Sequence, residues 1–341
     1  MIDNFHQPIL PALDQLIPRQ PVILKGFDAL LAARRGHAGA MDIGIFSGVA
    51  SSGGFSSILA DAAASAEAGF DTYWLPQIVQ QAEAMNIIGA AAQTVSNIRF
   101  GTSVVPTYPR HPMVMAEQAQ TTSMLTGGRF TLGIGLSHKP VVEGMWGHSF
   151  DKPLRHAREY LEALMPLVRG EAASFAGETL TARGQLTINA PESPVLLAAL
   201  GPQMLKLAGE RCGGTITWMT GAKTLSELTV PTISEAASNA GRDKPQVVAG
   251  MPIWVTDDVD AARANAAKTF LIYGQLPSYR AMLDREGLGG PEDLAIIGDE
   301  ATCASRLDEL AAAGVTQLAA SEFASDPEGR ARTRAFLASR L

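Results

Sequence analysis

From residue 41 onward, short apolar, β-branched runs alternate with longer segments of helical pattern, and that alternation points to an α/β fold built on a parallel sheet. The strand-like runs are Asp42–Phe46, Thr72–Leu75, Ile98–Val104, Phe130–Ile134, Val195–Ala199, Thr215–Trp218, Gln246–Val255 and Thr316–Ala320. The helical segments are Ser56–Ala68, Ala84–Val95, Pro112–Leu125, Leu154–Arg169, Gln203–Arg211, Thr224–Ala240, Val259–Tyr273 and Thr302–Ala313. The strand runs are nearly continuous in apolar residues, as strands covered on both faces are. Short connections and right-handed crossovers leave two closures, an open doubly wound sheet or a barrel. Eight units favour the barrel, which needs about 250 residues. No GxGxxG follows the first strand, where a dinucleotide-binding open sheet carries it. The expected fold is therefore a (β/α)8 TIM barrel spanning 41–341.

Two stretches fall outside the repeat. Residues 135–194 are too long for one connection, and they hold a loop, a helix and a turn-rich tail. They read as an insertion after strand 4 lying over the barrel mouth, where a lid excludes water. Residues 1–40 carry Pro8, Pro11, Pro18 and Pro21 before a glycine-rich link, and they read as an extension outside the fold. The alternative is an arm ordered against a neighbour. Glycines such as Gly69, Gly127 and Gly314 follow helical runs and suit left-handed helix ends.

Composition narrows the function. The chain of 341 residues is 46% hydrophobic and 18% charged, which suits a large core rather than disorder. Net charge is −7 without any basic run, so the footprint of a nucleic-acid binder is missing. Cys212 and Cys303 form no CxxC pair; neither a disulfide framework nor a metal site is expected, and a reducing, cytoplasmic setting fits. No apolar run approaches the ~18 residues of a membrane span, and no secretory signal pattern opens the chain.

Barrel enzymes work at the C-terminal ends of their strands. That rule selects Ser47–Val49, Pro76–Ile78, Pro106–His111, Gly135–Lys139, Ala199–Pro202 and Trp218–Thr220. Gly201 and Pro202 open a helix whose free N–H groups suit an anion, although the same residues also make an ordinary strand-to-helix turn. His138 stands in a polar Ser-His-Lys cluster and reads equally as a ligand contact or a surface histidine. His111 precedes Pro112 and reads as a helix cap, while His148 and His156 lack metal-ligand spacing. Tyr108, Trp146 and Tyr279 belong to loops near the mouth, with Tyr279 reading foremost as a packing aromatic. No GxSxG, P-loop or HExxH is present.

The text IRFGTSVVP at Ile98–Pro106, Arg110-His111-Pro112, TGGRFTLGIG at Thr126–Gly135, AALGPQMLKLA at Ala198–Ala208 and GGTITWMT at Gly213–Thr220 resembles the luciferase-like monooxygenase superfamily. GLSHKPVVEGMWG and VPTYPRHP are similar to its F420-dependent oxidoreductase subgroup. The resemblance implies a TIM-type barrel binding the deazaflavin coenzyme F420 across its mouth, with FMN in a monooxygenase as the alternative. It implies a non-prolyl cis peptide bulge at Ser103 and Val104 behind the ring. Thr107, Gly135, Ser137 and His138 would lie beside the ring and its side chain. Leu200, Gly201, Pro202 and Gln203 would receive the phosphate, with Met219 and Thr220 closing that end. It also implies a homodimer and a small-molecule substrate. In one respect the chain departs from it. Relatives that oxidise alcohols carry an acid-histidine pair after strand 2, where this chain has Pro76 and Gln77. That favours hydride delivery to an electron-poor C=C, C=N or C=O, with Gln77 or His138 orienting the acceptor. A non-catalytic flavin-binding protein is the alternative of another class.

Overall fold

The computed structural model describes residues 41–51 and 54–341, so the expectation for residues 1–40 lies outside the described residues. Eight parallel strands form a closed ring: β1 (Asp42–Phe46), β2 (Thr72–Leu75), β3 (Arg99–Thr102), β4 (Phe130–Gly135), β5 (Val195–Ala198), β6 (Gly214–Trp218), β7 (Gln246–Val255) and β8 (Gln317–Glu322). Closure comes where β8 returns to β1, with Asp42 opposite Gln317 and Ile45 opposite Ala320. The fold is the (β/α)8 barrel that the alternation predicts.

Large and small residues on neighbouring strands explain the closure. Trp74 of β2 fills the barrel interior with Leu196, Ile216, Val248 and Ala319. The flanking strands make room for it with glycine. A Cβ on Gly101 of β3 would stand 2.2 Å from the indole, and one on Gly44 of β1 would stand 3.1 Å from its nitrogen. The indole N–H donates to Gln317 at 3.1 Å, and Gln317 in turn donates to Asp71 at 2.6 Å, so the layer below the Trp is polar but satisfied.

The helices are α1 (Phe55–Glu67), α2 (Ala84–Ala91), α3 (Pro112–Thr126), α4 (Pro153–Val168), α5 (Pro202–Arg211), α6 (Ala222–Thr224 running on through a wider turn at Leu225–Thr229 to Val230–Asn239), α7 (Val259–Thr269), α8 (Pro277–Glu286), α9 (Glu300–Ala312) and α10 (Pro327–Ala338). Aspartates start three of them. Asp258, Asp299 and Asp326 accept the N–H three residues ahead at 3.1, 2.8 and 2.7 Å. Gly127 ends α3 with φ of 62°, as expected of a left-handed cap.

Three details depart from the sequence expectation. First, β3 stops at Thr102 instead of running to Val104. Gly101 faces Thr131 and Val105 faces Ile134, so four steps on one strand match three on the other. The extra residue is taken up at Ser103–Val104, whose peptide bond is cis, as the family resemblance implies. Second, within 135–194 the helix α4 packs between α3 and α5 as the barrel's own helix. The inserted matter is the loop 136–152 and an antiparallel hairpin, Ala173–Ala176 with Thr181–Gly184. Third, α7 ends at Thr269, short of Tyr273. The chain then makes the turn Leu271–Gly274, α8 and a short strand, Ile296–Gly298, which pairs in parallel alongside Ile253–Val255 at the end of β7.

Candidate active site

The floor of the C-terminal mouth is the upper layer of the barrel interior, made by Phe46, Val104 and Ala198, with Trp218 beside Phe46. Phe46 and Trp218 stack at 4.9 Å between centroids. Val104, carried inward by the break in β3, fills space that β4 leaves empty. A Cβ on Gly135 would lie 2.6 Å from Val104 Cγ2 and 3.1 Å from Ala198 Cβ. The glycines of the run FTLGIG are therefore a steric counterpart of the break opposite them.

The loops raise the walls. The buried Thr107 donates its N–H to Gly135 at 2.9 Å, and its hydroxyl lies 3.0 Å from His156 Nε2. Ser137 and Met219 leave β4 and β6 with φ of 64° and 48°, a left-handed turn uncommon for residues with a side chain. Met219 is held there by its N–H on Gly250 at 2.9 Å, with Thr220 fully buried beside it. Leu200 is half-buried, and Gly201, Pro202 and Gln203 are exposed at the start of α5. No side chain among the described residues caps that helix, and a Cβ on Gly201 would meet nothing within 4 Å. A helix start this open, with positive potential and free N–H groups, fits a phosphate.

His138 precedes the short helical turn Lys139–Gly144 without capping it. Burial pulls its imidazole below the usual histidine range, so it is neutral at pH 7. Its ring meets the edge of Tyr279 at 5.9 Å, Tyr279 meets Tyr273 at 4.9 Å, and Tyr273 lies 6.0 Å from Trp218. A continuous aromatic wall thus joins the floor to His138. Tyr279 packs as its sequence context suggests, and the packing brings it to the rim.

The other candidates are located as follows. Gln77 accepts the Ala84 N–H at 2.8 Å and donates to Ile78 O at 3.3 Å, so its amide is engaged at the start of α2. His111 caps α3, its Nδ1 accepting from Met113 at 3.3 Å and its Nε2 donating to Thr181 O at 2.9 Å. In the short turn Lys139–Gly144, Glu143, which no sequence signal marked as a site residue, pairs with Lys139 at 3.4 Å.

Two groups were not foreseen from sequence. Glu286, at the end of α8, accepts the Thr224 N–H at 2.6 Å and so reaches the first turn of α6. Nothing in the local sequence signals that contact. His156 and Tyr160 stand four residues apart on α4, a spacing that places them on one helical face. That spacing was the available signal for the cluster they form with Tyr108.

The class of protein is a closed parallel (β/α)8 barrel with an interrupted third strand beneath an open C-terminal mouth. The chain belongs to the luciferase-like monooxygenase family, whose sequence profile matches residues 40–317. It is 27% identical over 284 residues to the 5,10-methylenetetrahydromethanopterin reductase of Methanolobus tindarius, covering 74% of this chain and 86% of that protein. Its fold is similar to that of the F420-dependent tetrahydromethanopterin reductase of Methanopyrus kandleri, with a TM-score of 0.74 at 22% identity over 89% of this chain and 98% of the other. An F420-dependent secondary alcohol dehydrogenase, solved with an F420-acetone adduct, gives a TM-score of 0.73 at 20% identity over 87% and 98%.

Proposed function

We propose that the protein is an F420-dependent oxidoreductase working as a reductase on an electron-poor C=C, C=N or C=O of a small organic substrate. The observation that carries this reading is a juxtaposition on one face of the barrel. Val104, seated against Gly135 and Ala198, lies on the same face as the uncapped start of α5 at Gly201–Gln203. The names of the relatives, a methanopterin reductase and F420-dependent enzymes, support it. When held there, F420 would supply a two-electron hydride couple.

In this reading Ser103 and Val104 back the ring, and Thr107, Gly135, Ser137 and His138 flank it. Leu200, Gly201, Pro202 and Gln203 receive the phosphate, and Met219 and Thr220 close that end. Pro76 and Gln77 carry no group that takes a proton at neutral pH, which disfavours alcohol oxidation. His138, neutral at pH 7, orients the acceptor by donating its ring N–H, and water completes the protonation of the product. Trp218, Tyr273 and Tyr279 keep one side of the mouth apolar. A cytoplasmic homodimer belongs to the same reading, and among the described residues no helix is long and apolar enough to cross a membrane.

The test is a fluorescence-quenching titration of the full chain with F420 and with FMN, followed by turnover of reduced F420 against a panel of acceptors. Saturable F420 binding with acceptor-dependent oxidation is expected. Tighter binding of FMN with O₂-dependent turnover replaces the reading by a monooxygenase. Binding without any turnover leaves a carrier protein.

A further inference from the structure

We propose that the protein has a second small-molecule site, for a compact planar carboxylic acid, in the cleft between the β3–α3 loop and the start of α4. This inference does not rest on the cofactor reading. The cleft encloses about 600 Å³ and is walled by Tyr108, Arg110, Lys152, His156, Tyr160 and Thr179 among others. That volume is in the range of ligand pockets, roughly 300–1,000 Å³.

Thr107 separates it from the barrel mouth. Its backbone N–H is fixed on Gly135 at 2.9 Å, while its side chain faces the cleft through His156 at 3.0 Å. One wall is flat and aromatic. Tyr108 stacks on His156 with centroids 3.9 Å apart and 8° between planes, and Phe150 and Tyr160 extend the surface at 5.6 Å from Tyr108 and His156 respectively.

The unspent polar groups of the cleft are mainly donors. Tyr160 is 1% exposed, yet its hydroxyl has no hydrogen-bond partner among the described residues. A buried hydroxyl without a partner is costly, and native structures contain few of them. Arg110 uses Nε on Gln118 and Nη2 on Glu83, both at 3.1 Å, and no bond from its Nη1 occurs among the described residues. Lys152 reaches Glu178 at 3.4 Å but remains largely exposed, and Glu178 also pairs with Arg155. Burial pushes His156 down to about 4, so the imidazole adds no charge at neutral pH. Among the wall residues the one carboxylate, Asp151, already accepts from Ser149 at 2.7 Å. A ligand with a flat body and an oxygen-rich acceptor end satisfies both features, and a carboxylate is the compact form of that chemistry.

The test uses benzoate as the probe and benzamide as its neutral counterpart, with histidine-labelled full-length protein followed by NMR. Benzoate is expected to saturate and to shift the His156 ring signals, with benzamide about ten-fold weaker. Tyr160→Phe is expected to weaken benzoate about five-fold or more while leaving the Tm at or above that of the parent, since it removes an unpartnered hydroxyl. Lys152→Ala, on the rim, is expected to weaken it less. F420 binding is expected to be the same in Tyr160→Phe and in saturating benzoate, which separates this site from the mouth. Absence of saturable binding, equal affinities for benzoate and benzamide, or undiminished benzoate affinity in Tyr160→Phe overturns the proposal.

Discussion

Gly133 lies so close to Thr102 that a Cβ on it would stand 2.0 Å from the Thr102 carbonyl oxygen, while the Thr102 hydroxyl is bonded to the Gly133 C=O at 2.8 Å and N–H at 2.9 Å. The threonine side chain thus replaces ladder bonds just before β3 breaks. Gly133→Ala forces β3 and β4 apart, and a loss of about 3 kcal/mol is expected in urea unfolding. An unchanged midpoint would show that the strands can move without cost.

Gly201 is the contrasting glycine, since its added Cβ meets nothing and its φ of −83° suits any residue. Gly201→Ala should leave the Tm within about 2 °C, because exposed substitutions away from packed features cost little. F420 affinity should fall about ten-fold, because the new methyl stands where an anion approaches the N–H groups of α5. The readout is the quenching titration, and undiminished affinity would move the phosphate elsewhere.

His156 should titrate near 4 by histidine NMR, mainly because burial disfavours its charged form. The unfolded chain takes up that proton near pH 6.5 and the folded protein only near 4. Stability is therefore complete above pH 6.5 and declines as pH falls toward 4, by about 1–2 kcal/mol once partial solvent exposure is discounted. His156→Gln should flatten that slope. His138 shifts in the same direction, so some pH dependence will persist.

Arg334 of α10 joins Glu322, at the end of β8, to Asp61 of α1, and Tyr73 of β2 lies 2.8 Å from the same Asp61. Burial raises the Glu322 carboxyl while Arg334 pulls it back. Arg334→Met strands that carboxylate, with an expected loss of about 3 kcal/mol at pH 7. The deficit should shrink in mild acid, where Glu322 takes up a proton instead. A pH-independent deficit would show that lost packing, rather than charge, is responsible.

His138→Ala tests the orienting role. Turnover at saturating F420 should fall about ten- to a hundred-fold, beyond any loss of F420 affinity from the same change. Equal turnover would remove His138 from the mechanism.

Much of this protein is legible along its own chain. Strands such as Val195–Ala198 read plainly because residues buried on both faces must be apolar at every position. The start of α7 at Val259 reads plainly because its cap, Asp258, is a contact over three residues, whereas α9 begins two residues before the expected Thr302 and α10, behind Asp326, was not among the helical segments read from sequence. The motifs that carry the family resemblance are local for the same reason, being strand ends and the turns that leave them.

The break in β3 is different. Ile98–Val104 reads along the chain as one strand with no proline to stop it; the bulge at Ser103 and Val104 was implied only by the family resemblance, and the pairing against β4, with its glycines at 133 and 135, shows the residue left over. The excursion after α7 is equally unmarked until Tyr279 meets His138 and Glu286 meets Thr224. Gln77 reads in sequence as a residue to orient the acceptor, yet its oxygen accepts the Ala84 N–H.

Periodicity, caps and glycine positions, all short-range properties, determined the class of fold and the face on which ligands are received. Which side chains meet on that face was decided only in three dimensions. Thr107 and His156 are 49 residues apart, and hydrogen bonds and steric exclusion act over a few ångströms of space, whatever the distance along the chain.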